Sequence, residues 1–242
     1  MRKSVKITAL GALILLCAGI IIRFHETKPL KAVRQNTIEY REKLHAIRKS
    51  DSGRDLIASL QAVNADFKAF LAFESGLIAL PVVQTDNNSF YLDHTFERNE
   101  GTAGTLFFDT QCERDDRLKI IYGHTVFGQE DLMFSPLHTL ADPGTFASNR
   151  QFSLFYPDGT EHYEIVCVFV NDEDDEYALN TRIRNFVSQE EEDTFLAAAK
   201  ARSLLMVEVM EEFTGKLLIL QTCIDEHSAK RLCVLAYEKG EG

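Results

Sequence analysis

The chain has 242 residues, 45% of them hydrophobic, and a formal net charge of −11. That length fits one domain with an accessory segment, and the apolar fraction suffices for a sizeable core. The acidic balance argues against a nucleic-acid binder, which needs a basic face to meet phosphates. Five cysteines occur (Cys17, Cys112, Cys167, Cys223 and Cys233) without a CxxC pair. Neither a zinc ribbon nor a thioredoxin-like site is indicated. The odd count, with Cys17 inside an apolar run, does not suit a disulfide framework and directs attention to a free thiol.

In chain order, the first feature is hydrophobic. Arg2, Lys3 and Lys6 precede an apolar stretch from Ile7 to Ile22. With its flanks it approaches the length that spans hydrocarbon. Basic residues on the N-terminal side favour a cytoplasmic N-terminus and an external C-terminal domain. Ala18-Gly19 is a poor cleavage site, and Leu16 before Cys17 is wrong for a lipoprotein. Residues 1–25 therefore read as a basic tip and an uncleaved transmembrane anchor of a single-pass protein.

Residues 26–70 read as a helical stalk and N-terminal helices. Leu44, Ile47, Leu56, Ile57, Leu60, Val63 and Phe67 recur at near-helical spacing, with a break at Ser50-Asp51-Ser52-Gly53. From residue 71 to 242 the pattern is β-rich. Strands are expected over Leu77–Val83, Thr105–Phe108, Lys119–Tyr122, Phe152–Tyr156, Tyr163–Val170, Met206–Val209, Leu217–Leu220 and Cys233–Tyr237. Pro157-Asp158-Gly159 marks a hairpin turn between two of them. Many short strands at this spacing predict a barrel or sandwich. One helix interrupts them: Ser188 and Glu191 form a capping box ahead of Phe195, Leu196 and Ala199. The acidic run Asp172–Glu176 reads as a solvated loop, since it lacks the glycine and spacing of a calcium loop.

The chemistry-bearing residues lie at strand ends. Cys223 follows the apolar run Leu217–Leu220 and Gln221-Thr222, which puts its thiol at a rim. Arg231 opens the next run, and a hairpin would bring it back beside Cys223. A guanidinium there favours thiolate over thiol and can donate hydrogen bonds to a developing oxyanion. It cannot serve as a base. A proton donor for a leaving amine is also needed. His124, ending the run Ile120-Ile121-Tyr122-Gly123, is the best placed of seven histidines. His227 is nearer in sequence but sits in a polar loop.

These residues resemble a known pattern. Tyr122-Gly123-His124, Leu220-Gln221-Thr222-Cys223 and Arg231 eight residues on are similar to the signatures of sortases. The likeness is greatest to class B. It extends to Pro81-Val82-Val83-Gln84, Asn88-Ser89-Phe90-Tyr91-Leu92, the segment Gly104–Asp109, Met133-Phe134 with Leu137, and the helix near 188–202. It covers roughly residues 40–238. Thr125 stands where an Asn is common, Gln221 where a Ser usually precedes Thr-Cys, and Asn87 where an Asp is usual.

The resemblance implies a mainly β fold, a closed eight-stranded barrel with N-terminal helices and a long helix before the cysteine strand. It implies a transpeptidase that needs no metal or organic cofactor. Cys223 would attack the carbonyl after Thr in an LPxTG-like or NPxTN-like sorting signal, His124 would protonate the departing amine, and Arg231 would stabilise the oxyanion. Thr222, Gln221, Leu92, Asn88 and Tyr122 would line or support the peptide site. The acceptor would be a peptidoglycan-precursor amine or, in a pilus-assembling enzyme, a pilin lysine. The domain would act on the outer face of a Gram-positive-type cell membrane. A cysteine protease of another fold and a non-catalytic surface adaptor are the competing readings.

Overall fold

The structure, a computed structural model, describes residues 30–42, 53–206 and 215–240. The expected anchor over 1–25 lies outside them. So do Leu44 and Ile47 of the stalk, and residues 207–209 of one expected strand. Among the described residues no helix is long and apolar enough to cross a membrane.

Among the described residues two helices precede the sheet. Helix α1 covers residues 30–42 and buries Val33, Thr37 and Tyr40, one side of a helix by their spacing. Tyr40 meets Phe70 edge-on, with ring centroids 5.9 Å apart. Helix α2 (Gly53–Val63) buries Leu56, Ile57 and Leu60, while Val63 is exposed. The expected helix does not reach Phe67. Asn64 ends it: its Nδ2 donates to the Tyr91 hydroxyl and the Phe96 carbonyl, both at 2.7 Å, and its Oδ1 accepts from the Asp66 amide. Such side-chain bonds compete with helix continuation. Phe67 instead opens strand β1 (Phe67–Phe73), a strand the apolar spacing had disguised as helix.

The remaining strands are β2 (Ala79–Val83), β3 (Leu106–Phe108), β4 (Leu118–Tyr122), β5 (Gln151–Tyr156), β6 (Gly159–Asp172), β7 (Ser203–Met206), β8 (Leu217–Cys223) and β9 (Lys230–Glu238). They hydrogen-bond in the order β5-β1-β2-β3-β4-β8-β9-β6-β7, and β5 also pairs with β6. That last pairing closes an eight-stranded barrel and leaves β7 flanking β6 outside the ring. The barrel is the predicted one, but its eighth member is the overlooked β1, not the run near Met206. Strand β6 serves three neighbours, β5, β7 and β9. Irregularities between Ile165 and Cys167 and between Val168 and Phe169 let it bend to do so. The third helix, α3, is short (Pro143–Ser148).

Helix α4 (Gln189–Ala201) begins as its capping box predicts. The Glu191 amide donates to Ser188 Oγ at 3.2 Å, and Glu191 Oε2 accepts from the Val187 amide at 2.6 Å. Its buried face carries Glu192, Phe195, Leu196 and Ala199, with Glu192 paired to Arg117.

One feature of the topology fixes the site. Strands β4 and β8 are parallel neighbours, in register from Leu118↔Leu217 to Tyr122↔Gln221. Parallel strands end at the same rim, so the segments after Tyr122 and Gln221 arrive together. All other barrel pairings except β2–β3 are antiparallel.

Candidate active site

Cys223 is the last residue of β8, three residues beyond the end of the strand expected from the apolar run. It lies directly opposite Arg231 on β9. Side chains facing one another in this way share a face of the sheet, with Cβ atoms about 5 Å apart. The hairpin between them is tight. The Ile224 amide donates to the Lys230 carbonyl at 3.1 Å, and Asp225 accepts from the His227 and Ser228 amides at 2.8 Å each. Asp225 therefore builds the turn.

Four cysteines are described. Cys112, Cys167 and Cys233 are buried, and Cys223 alone among them is half-buried. Burial pushes the thiols of Cys112, Cys167 and Cys233 up. Inert buried thiols contrast with one that solvent reaches at a strand end, beside a guanidinium.

Past the last β4–β8 pair, His124 stands between Gly123 and Thr125, whose Oγ1 donates to the Cys223 carbonyl at 2.6 Å, so the histidine loop runs beside the end of β8. The Gly123 amide still donates to the Gln221 carbonyl, at 3.2 Å. His124 is half-buried, and its Nε2 lies 2.7 Å from the carbonyl oxygen of Leu92. A carbonyl only accepts, so this contact assigns the proton to Nε2. Nδ1 is then the ring nitrogen whose protonation can change. The close approach depends on Gly104, which has φ +63. A Cβ there would stand 2.5 Å from the Tyr91 oxygen and 3.1 Å from His124 Cδ2.

Arg231 is anchored on three sides. Its Nη2 pairs with Glu173 at 3.0 Å, and its Nη1 donates to the carbonyls of Ser228 and Lys230 at 3.3 and 3.2 Å. Of five N–H groups, Nε–H and one on Nη2 remain for another acceptor. Glu173 was expected in a solvated loop. Residues 174–176 fit that reading, but Asp172 ends β6 opposite Lys230, and Glu173 bridges the site: its other oxygen lies 3.5 Å from Gln221 Nε2. An unbroken acidic run gave no local sign of which carboxylate would pair with Arg231.

The expected peptide-site residues divide. Leu92 is exposed and adjoins His124. Tyr122 is half-buried, donates to Asp109 Oδ2 at 3.0 Å and accepts from Arg182, while burial lifts its hydroxyl to about 12. Asn88 commits both ends of its amide to the protein, donating to Asp109 and accepting from the Thr110 amide. Gln221 is buried, its Oε1 accepting from Thr181 at 3.2 Å and from Cys233 Sγ at 3.7 Å. Thr222 is also buried, and its hydroxyl meets that of Thr125 at 2.8 Å. The last three are built into the walls of the rim, not displayed on it.

One residue had no sequence signal at all. His138, on the short 3-10 helix Ser135–Ala141, brings Nε2 to 2.9 Å from Thr125 Oγ1 and 3.1 Å from the Cys223 carbonyl. Burial holds its imidazole below the usual histidine range, against the opposing effect of that carbonyl.

No family model matches the chain. Two curated relatives do. Sortase B of Listeria monocytogenes is 27% identical over 190 residues, covering 77% of this chain and 71% of that protein. Sortase B of Staphylococcus aureus is 24% identical over 187 residues, covering 76% and 74%. Among solved structures, sortase B of Clostridium perfringens matches with a TM-score of 0.67 and 26% identity, over 76% of this chain and 99% of that one. A Staphylococcus aureus sortase B–substrate complex shares the fold, with a TM-score of 0.75 at 22% identity, over 88% and 98%. With the barrel order and the long helix ahead of the cysteine strand, these likenesses make the chain similar to class B sortases along most of its described length.

Proposed function

We propose that the protein is a cysteine transpeptidase that cuts a C-terminal sorting signal of LPxTG or NPxTN type after its Thr and joins the released carboxyl end to a cell-wall amine. One observation carries this reading: a half-buried thiol, Cys223, faces Arg231 across a strand pair at the rim where the loop of His124 meets the end of β8. Cys223 gives its thiol proton to His124, and its Sγ attacks the scissile carbonyl carbon. Nε–H and the spare Nη2–H of Arg231 stabilise the oxyanion. The C–N bond breaks, the amine leaves with a proton from His124, and a thioester remains. An incoming amine gives its proton to His124, attacks the thioester and regenerates the thiol. Leu92, exposed beside His124, offers apolar surface to the peptide. The anchor over residues 1–25 would hold the domain at the outer face of the membrane.

Similar proteins support both partners. One solved sortase B, that of Staphylococcus aureus, is a substrate complex. Another solved sortase B is complexed with triglycine, a short peptide with a free α-amine. The latter favours a cell-wall peptide amine over a pilin lysine as acceptor.

The test incubates the full-length protein with a peptide library of both signal types, with and without triglycine. Amide product dependent on Cys223 is expected. Equal turnover without the amine would make the protein a hydrolase, and no product from any peptide would remove the assignment.

A further inference from the structure

A parallel ladder that continued past Tyr122 would send the Thr125 amide to the carbonyl of Cys223, just as the Gly123 amide reaches that of Gln221. The ladder does not continue. Thr125 forms an isolated antiparallel bridge with Met133, and the Phe134 amide donates to the His124 carbonyl at 3.0 Å. The histidine loop closes on itself, and the Cys223 carbonyl loses its backbone donor. An acceptor left unpaired beside the nucleophile would cost stability and leave the strand end free to move.

Two side chains take the place of that amide. Thr125 Oγ1 donates to the Cys223 carbonyl at 2.6 Å. His138 Nε2 lies 3.1 Å from the same oxygen and 2.9 Å from Thr125 Oγ1. The proton order follows. The carbonyl can only accept, so Thr125 gives it its single hydroxyl proton. Nε2–H of His138 points between the two oxygens, and the Thr222 hydroxyl, 2.8 Å away, donates to Thr125. This arrangement gives every oxygen a partner with the protons available. A neutral His138 with its proton on Nε2 suffices.

On the far side of the same peptide unit, the Ile224 amide donates to the Lys230 carbonyl at 3.1 Å. The peptide group joining Cys223 to Ile224 is thus pinned at both its oxygen and its nitrogen. That group sets the direction of the Cα–Cβ bond that carries the thiol.

We infer that Thr125 and His138 are positioning residues, a side-chain clamp that substitutes for a missing ladder bond and aims the Cys223 thiol at the scissile carbonyl. The inference deepens the transpeptidase reading and rests on it for its consequence in catalysis. The clamp itself exists in the resting protein. His138 does not exchange a proton with substrate in this account; its role is to hold.

The experiment uses the full-length chain and two readouts. The first is amide exchange at Ile224, read on the resting protein without substrate. The second is transfer with the best peptide from the library, separated into kcat and KM. T125V and H138A each remove one donor, and each should raise Ile224 exchange and lower kcat by about tenfold, with KM within about twofold, the effect of one lost bond to a sequestered acceptor. H138Q places an amide N–H where Nε2–H stood and should recover kcat to within about threefold of wild type. T125S keeps the hydroxyl and should behave as wild type. Wild-type exchange in both T125V and H138A would overturn the clamp, as would a loss that T125S and H138Q fail to restore. If the unmutated chain transfers no peptide, the transpeptidase reading fails, while the exchange measurement still decides whether the clamp holds the strand end.

Discussion

Strand β4 has an ionisable group toward each end of the barrel, and the two are treated in opposite ways. Near its start, Lys119 is almost wholly buried, with Nζ 2.6 Å from Glu161 and 3.3 Å from the Tyr156 hydroxyl. Glu161 is held further by Arg114 Nε at 2.8 Å and the Tyr163 hydroxyl at 2.8 Å. Both of its oxygens are engaged. Beyond the other end, His124 and the neighbouring Cys223 and Arg231 are only half-buried. There Arg231 keeps N–H groups in reserve and His124 a ring nitrogen that can change its proton. A closed end binds its charges to one another; an open end keeps capacity for a substrate. Buried charge alone would therefore have pointed to the wrong pole of this barrel.

The contrast can be broken at either pole. The largest effect on turnover should come from R231A. Removing a donor aimed at an oxyanion costs about 10²–10³ in kcat, and R231K should recover little because it lacks the planar fork. Folding should hardly change, because the pair with Glu173 is part-exposed and worth about 1 kcal/mol or less. Single-turnover acylation and a melting curve separate the two. An R231A chain that acylates like wild type would remove the oxyanion role.

At the closed pole the effect should fall on stability. K119A leaves Glu161 buried without its main partner and should cost about 3–5 kcal/mol. K119M/E161Q, which removes both charges and keeps an acceptor for Arg114 and Tyr163, should recover at least half of that loss. Urea midpoints measure both, and residual acylation in the folded fraction should stay near wild type. A K119A chain as stable as wild type would show that the network contributes nothing to folding.

The smallest effect is in the acid range. Burial raises the pKa of Glu161, but Lys119, Arg114 and Tyr163 outweigh it and hold the carboxyl at about 2. A folded value below the ordinary one of about 4.3 gives stability that is complete above that pH and fades as pH drops toward 2. The urea midpoint of wild type should therefore fall between about pH 5 and 2, more steeply than that of K119M/E161Q. Equal slopes would contradict the depressed carboxyl.

Much of this was legible in the sequence. Apolar runs that end in Gly-His and Thr-Cys place both residues at strand ends, and the spacing from Cys223 to Arg231 suits one hairpin. The capping box at Ser188 starts α4 where it should. What could not be read depends on partners distant in the chain. Phe67 continued an apolar spacing, and only Asn64, bonded to Tyr91 and Phe96, shows why the helix stops before it. Lys119 opened an expected strand without any sign of burial, and its burial depends on Glu161 arriving from β6. Glu173 and His138 reach the site from beyond β6 and from the 3-10 helix by folds of the chain that no local pattern records. The family resemblance implied that Gln221 and Thr222 would meet substrate. Strand alternation turns them into opposite walls, one toward Thr181 and Cys233, the other toward Thr125.

The most direct test of the account is mass spectrometry of the full-length protein, quenched during reaction with the sorting-signal peptides. It should show a thioester adduct of the N-terminal peptide fragment on Cys223, cleared by triglycine and absent in C223A. An adduct on Cys112, Cys167 or Cys233, or one that survives in C223A, would contradict it.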